Sequence, residues 1–126
     1  MGPQRILIVS DEALDQNVRG ALEERGFAVT VAQDSESAYR ELTESSFALV
    51  IVVFTDDIDG IKLIKRLRAT PTLKSSLILV IAEWGAGAAT LALSQGADAY
   101  EPQPLGGTRL LDSVERLLSR QAVVIK

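Results

Sequence analysis

The chain of 126 residues contains no cysteine and no histidine. Without cysteine there is no disulfide, no thiolate nucleophile, no zinc ribbon and no thiol redox motif. Without histidine there is no Ser-His-Asp triad, no imidazole metal ligand and no imidazole base. Zinc hydrolases and proteins that pass phosphoryl groups through histidine are thereby excluded. Any catalysis would have to run on carboxylates, lysines, hydroxyls or backbone dipoles. No apolar run approaches the ~20 residues that a membrane-spanning helix needs. A basic surplus is also missing: 13 Lys and Arg stand against 17 Asp and Glu, net −4. That is the wrong sign for a sequence-blind nucleic-acid binder, which gains affinity by releasing counterions from phosphates. The first five residues run straight into an apolar stretch and lack the organisation of a signal peptide. The expected location is cytoplasmic.

What is present is an ordinary globular composition, 47% hydrophobic and 24% charged, enough for one domain with a real core. Short apolar runs alternate with helical patterns. Ile6-Leu7-Ile8-Val9 is a β-branched run without polar alternation, as expected of a strand buried on both faces. Leu14, Val18, Ala21 and Leu22 mark one helix face that Gly26 stops. Phe27 to Ala32 reads as a second strand. A helix capped by Asp34 or Ser35 follows to about Ser45, with Ala38 and Leu42 inward. Phe47 to Phe54 is the longest apolar run and the expected central strand. Ile61, Ile64 and Leu67 mark a third helix ending before Pro71, and Leu77 to Ala82 a fourth strand. A weaker, Ala-rich helix runs from about Ala86 to Gln95, with Ala88, Ala89 and Ala92 giving it a low-volume surface. Ala97 to Glu101 is a short fifth strand. Leu110, Leu111, Val114, Leu117 and Leu118 trace the clearest helix. Five strand–helix pairs imply an α/β, flavodoxin-like, doubly wound (βα)5 fold with a five-stranded parallel sheet of order 2-1-3-4-5. The reading is one domain over 1–126 with its core at about 5–120. Ala122 to Lys126 read as an unfinished continuation, as in a fragment of a longer protein. In such sheets ligands sit at the carboxyl ends of the strands, which directs attention to the loops 10–12, 53–60, 82–87 and 101–107.

At these loops the sequence resembles a receiver domain of the bacterial two-component response regulators. The residues that carry the likeness are Arg5-Ile-Leu-Ile-Val-Ser-Asp-Glu12, Glu24-Arg-Gly-Phe-Ala-Val29, Asp59-Gly60 with Ile61, Leu63 and Arg66-Leu-Arg68, then Gln95-Gly-Ala-Asp-Ala-Tyr100 and Gln103-Pro104. The resemblance covers residues 5 to about 120 without gaps. It implies phosphoryl transfer to an Asp at the end of the third strand. An acidic pair after the first strand helps to hold Mg²⁺, a hydroxyl follows the fourth strand and a Lys follows the fifth.

Matched position by position, the chemistry is missing. Counting back from Asp59-Gly60, the acceptor position is Val52, and an aliphatic side chain is no phosphoryl nucleophile. Ser10 replaces the first acid, while Asp11 keeps the second with Glu12 beside it. Ile81 stands at the hydroxyl position and Gln103 at the Lys position. Thr55-Asp56 replaces the Met-Pro pair of the acceptor loop. Val52 and Ile81 are expected to fill part of the old site with apolar atoms, as in a pocket that has become packing. The reading is an atypical pseudo-receiver, not an enzyme, with no cofactor beyond weak Mg²⁺ at Asp11 and Glu12.

Several features admit a plainer reading. The acidic loop of Asp56, Asp57 and Asp59 either supplies a displaced acceptor, Asp56 or Asp57, or is a turn with Asp59 as helix cap. It is not an EF-hand, because the twelfth position, counted from Thr55, is Arg66. Ser10 satisfies a strand-end backbone group rather than acting as a nucleophile. Lys62, Lys65, Arg66 and Arg68 read as a solvated helix face. Trp84 either anchors a partner or roofs the filled pocket. Tyr100 matches an aromatic that in the family moves with the hydroxyl residue. With Ile81 at the hydroxyl position that coupling is broken, and a fixed ring, on the surface or half-buried, is expected. The resemblance also implies a cis peptide before Pro104. It further implies an interaction face on the fourth helix, fifth strand and fifth helix, including Trp84 and Tyr100. That face would serve a protein partner, an effector domain or a homodimer, with no nucleic acid or membrane bound. A phosphorylatable receiver using Asp56 or Asp57 is one alternative. A nucleotide- or flavin-binding enzyme is another, although the loop after the first strand has no glycine to cradle phosphate.

Overall fold

The computed structural model describes residues 4–10, 16–53, 60–74, 76–82, 86–102 and 107–123. The elements in chain order are β1 (Arg5–Val9), α1 (Gln16–Glu24), β2 (Ala28–Ala32), α2 (Ser35–Glu44), β3 (Leu49–Val53), α3 (Gly60–Ala69), β4 (Ile78–Ala82), α4 (Ala86–Ser94), β5 (Ala99–Pro102) and α5 (Gly107–Val123). The five strands pair in parallel in the order β2-β1-β3-β4-β5, so β3 is central, as its unbroken apolar run implies. Among the described residues no helix is long and apolar enough to cross a membrane.

The apolar runs divide by the two-residue period of a strand into two cores. Leu7, Val9, Val50, Val52, Ile78, Val80 and Ala82 face Ala38 and Leu42 of α2, Leu63, Ile64 and Leu67 of α3, and Ala92 of α4. Ile6, Ile8, Leu49, Ile51, Val53, Leu79 and Ile81 face Leu22 of α1 and Leu110, Val114 and Leu117 of α5. A strand buried on both sides needs no polar alternation, which is why these runs carry none.

Local chemistry sets the ends of the elements. Asp34 caps α2, accepting from the Ser37 amide at 2.7 Å. That amide, and then the Ser37 hydroxyl, hold the Asp34 carboxyl below its ordinary value. Helices α1 and α4 end alike. Gly26 and Gly96 take positive φ (98° and 121°), and Phe27 and Ala97 donate back to Leu22 and Ala92 at 3.1 and 3.0 Å.

This closure explains why β5 starts at Ala99 rather than at the expected Ala97. The Ala97 amide is spent on the helix end, and Asp98 N bonds Ile78 O at 2.8 Å. Strand β3 likewise starts at Leu49, after Phe47, whose ring lies under the Arg5 guanidinium at 4.5 Å. In α3 the buried set is Leu63, Ile64 and Leu67, with Ile61 only half-buried.

Arg68 departs from the solvated face expected of it. It donates to the carbonyls of Gly96, Lys74 and Ser76 at 2.6–3.0 Å, and its Nη2 pairs with Asp98 Oδ2 at 3.0 Å. Asp98 Oδ2 also accepts from Ile78 N at 2.8 Å. One guanidinium therefore joins the end of α3, the turn into β4 and the α4–β5 junction. Arg66 is exposed, bonded to Glu36 and stacked on Tyr39 at 3.6 Å, while Lys62 and Lys65 are exposed.

Candidate functional site

The carboxyl edge of the sheet is where the crossovers diverge on either side of β1 and β3. Val52 is the penultimate residue of β3. It is 0% exposed and lies in register between Val9 of β1 and Val80 of β4. Ser10 directly follows β1 and is 2% exposed. Its amide donates to Ala32 O at 2.9 Å, which extends the β1–β2 ladder by one residue. Ile81 is buried in register between Val53 of β3 and Glu101 of β5. Tyr100 is half-buried against the core beneath α2, α3 and α4, and its hydroxyl donates to Ala82 O at 3.4 Å.

Val52 and Ile81 do not fill one pocket, contrary to the expectation from sequence. Strand alternation puts them on opposite faces of the sheet, Val52 toward α2 and α3 and Ile81 toward α1 and α5. Each closes its own core. The corrected picture is two apolar plugs back to back, with the sheet backbone between them.

Asp11, Glu12, Asp56, Asp57, Asp59, Trp84, Gln103 and Pro104 lie outside the described residues, and with them the proline bond, the acidic loop and the Trp84 anchor. Among the described residues no three Asp or Glu side chains converge as a metal site.

A cluster that the sequence reading passed over sits at the same edge, on the α5 side. Glu101 is the penultimate residue of β5, and its side chain is 13% exposed. Its Oε1 accepts from Arg109 Nε at 2.8 Å, and its Oε2 accepts from the Ser113 hydroxyl. The signal available in the sequence was a carboxylate in a short strand followed, within the first two turns of the next helix, by Arg109 and Ser113 four residues apart. A groove of about 520 Å³ opens at the opposite, amino-terminal edge, between the end of α2 and the turn before β4. Ser45, Phe47, Thr72, Leu73 and Leu77 are among the residues that line it. It shares no residue with the carboxyl edge.

Chemically, the described part of the edge offers an aliphatic wall, a buried hydroxyl, a phenol bonded to a carbonyl and a neutralised carboxylate.

Comparison with known proteins places this arrangement. The response regulator receiver domain family matches residues 6–115. Response regulator MprA of Mycolicibacterium vanbaalenii is 32% identical over 124 residues, covering 94% of this chain and 52% of the relative. Transcriptional regulatory protein TrcR of Mycobacterium tuberculosis is 30% identical over 122 residues, covering 95% and 47%. The chain thus spans about half the length of the curated relatives it matches. Among solved structures, a two-component response regulator from Clostridium difficile superposes with a TM-score of 0.84 at 26% identity, covering 94% of this chain and 98% of that one. Chemotaxis response regulator CheY4 of Vibrio cholerae shares the fold, with a TM-score of 0.83 at 22% identity over 91% and 98%.

Proposed function

The chain belongs to the response regulator receiver domain family, and we propose that within it this domain is a pseudo-receiver: it keeps the fold, accepts no phosphoryl group and works by protein contact. The observation that carries this reading is Val52, an aliphatic residue wholly buried between Val9 and Val80 at the acceptor position. Burial of that kind leaves neither a nucleophile nor a way in for a phosphodonor. Ser10, Ile81 and Gln103 remove the first acid, the hydroxyl and the cation that would serve an acceptor. Loss of the acceptor, the first acid and the cation together leaves less charge to compensate in the site.

Interaction then falls to the surface of α4, β5 and α5. Leu91 and Leu93 of α4 are each 47% exposed, and Tyr100 of β5 is half-buried. A protein partner, an effector domain of the same protein, or a second copy of this domain would use that surface, in the cytoplasm, with no nucleic acid bound by the domain itself and Mg²⁺ at most weakly held by Asp11 and Glu12.

Beryllium trifluoride with Mg²⁺ mimics an acyl phosphate, and an amide NMR spectrum tests the reading. The expected result is unshifted resonances for 80–82 and 99–101 under conditions that shift a conventional receiver. Saturable shifts there would overturn it. A displaced acceptor at Asp56 or Asp57 is the second reading, favoured by two carboxylates in the acceptor loop. In that case the shifts appear and are abolished by Asp56→Asn or Asp57→Asn.

A further inference from the structure

The sheet face toward α1 and α5 is apolar on β1, β3 and β4. At its β5 edge the pattern breaks. Tyr100 packs on the opposite face, so strand alternation turns Glu101 toward α5, in register with Ile81. It is the one charged strand residue on that face among the described residues. A carboxylate mostly removed from water is costly unless both oxygens are engaged, and here both are. Arg109 reaches Oε1 from the first turn of α5, and Ser113, one turn further, reaches Oε2.

The two partners differ in kind. Ser113 is 5% exposed and, with Ser10, makes up the buried polar residues among those described. Its hydroxyl was taken from water and given to Glu101. Arg109 is 66% exposed on its side chain and can exchange its partner for water. The cluster therefore has a fixed inner contact and a releasable outer one, on the strand at the sheet's open edge.

We propose that Glu101, gripping Ser113 inside and Arg109 outside, is a latch that seats the first two turns of α5 against the end of β5. The latch sets where the start of α5 lies relative to β5, and so the shape of the edge that those two elements present. Glu101 acts through α5 and is a positioning residue. The latch stands whether or not the domain can accept a phosphoryl group. Its test uses no phosphodonor, so its failure and that of the pseudo-receiver reading are distinguishable.

Hydrogen exchange read amide by amide on the full chain tests it, with Glu101→Gln and Ser113→Ala. Glu101→Gln keeps the shape and removes the charge. Ser113→Ala removes only the inner contact and stands as the deciding variant if Glu101→Gln does not fold. The expected result is a roughly ten-fold faster exchange of amides 110–114, with β1 and β3 amides unchanged. Arg109→Gln should give a smaller rise in the same window, because its contact is the exposed one. Unchanged exchange at 110–114 in Ser113→Ala, or a rise spread evenly over all elements, would overturn the latch.

Discussion

Val52 carries no lone pair, and no solvent reaches it, so its contribution at the end of β3 is volume. The same holds for Ile81 on the other face. A single-residue repair is therefore expected to fail. Val52→Asp would put a carboxylate into a site lined by Val9, Val80 and the core under α2 and α3, with Gln103 where a cation is needed. The carboxyl would take up a proton rather than ionise unpaired, at a cost of about 2–4 kcal/mol in stability. Urea unfolding should show that loss, and intact mass after exposure to acetyl phosphate should show no adduct. Only with an acid and a cation restored as well, by Ser10→Asp and Gln103→Lys, should a phosphoryl adduct appear. An efficient adduct on Val52→Asp alone would mean that neither of those two replacements is limiting.

At the scale of elements, the helix ends and the Arg68 junction fix how the crossovers return to the sheet. Gly26 and Gly96 end their helices with the same backbone closure but differ in what surrounds them. A Cβ on Gly26 would meet nothing within 4 Å, whereas one on Gly96 would lie 2.9 Å from Arg68 Cγ. Gly26→Ala should therefore cost only the backbone term, about 1–2 kcal/mol. Gly96→Ala should cost more, because it also displaces the guanidinium that binds Gly96 O, Ser76 O and Asp98. Thermal or urea unfolding of the two variants compares them directly, and equal losses would show that the Arg68 junction yields without penalty.

Over the whole molecule, the elements were legible because they are written in local periodicity, and their strict strand–helix alternation implies the sheet order. The Asp34 cap and the inward Ala38 and Leu42 are set by residues within one helix. The proposed acceptor position, Val52, is assigned by counting back from Asp59-Gly60, a spacing short enough to need no distant partner. What stayed hidden depends on partners far apart in sequence. Arg68 reads as one of four helix cations until Gly96 and Asp98 are folded beside it. Glu101 reads as the polar end of a strand until Ser113 covers it. The separation of Val52 from Ile81 was hidden for another reason. A strand apolar on both faces has no alternation to show which face a residue takes.

A receiver fold whose carboxyl edge is packing should take up no phosphoryl group. Intact mass after incubation with acetyl phosphate and Mg²⁺, beside a conventional receiver as positive control, is the first measurement to make. The expected mass is unmodified while the control acquires its phosphoryl group. A stoichiometric adduct on this chain would overturn the pseudo-receiver reading, and mapping that adduct to Asp56 or Asp57 would show that the acceptor had moved along its loop.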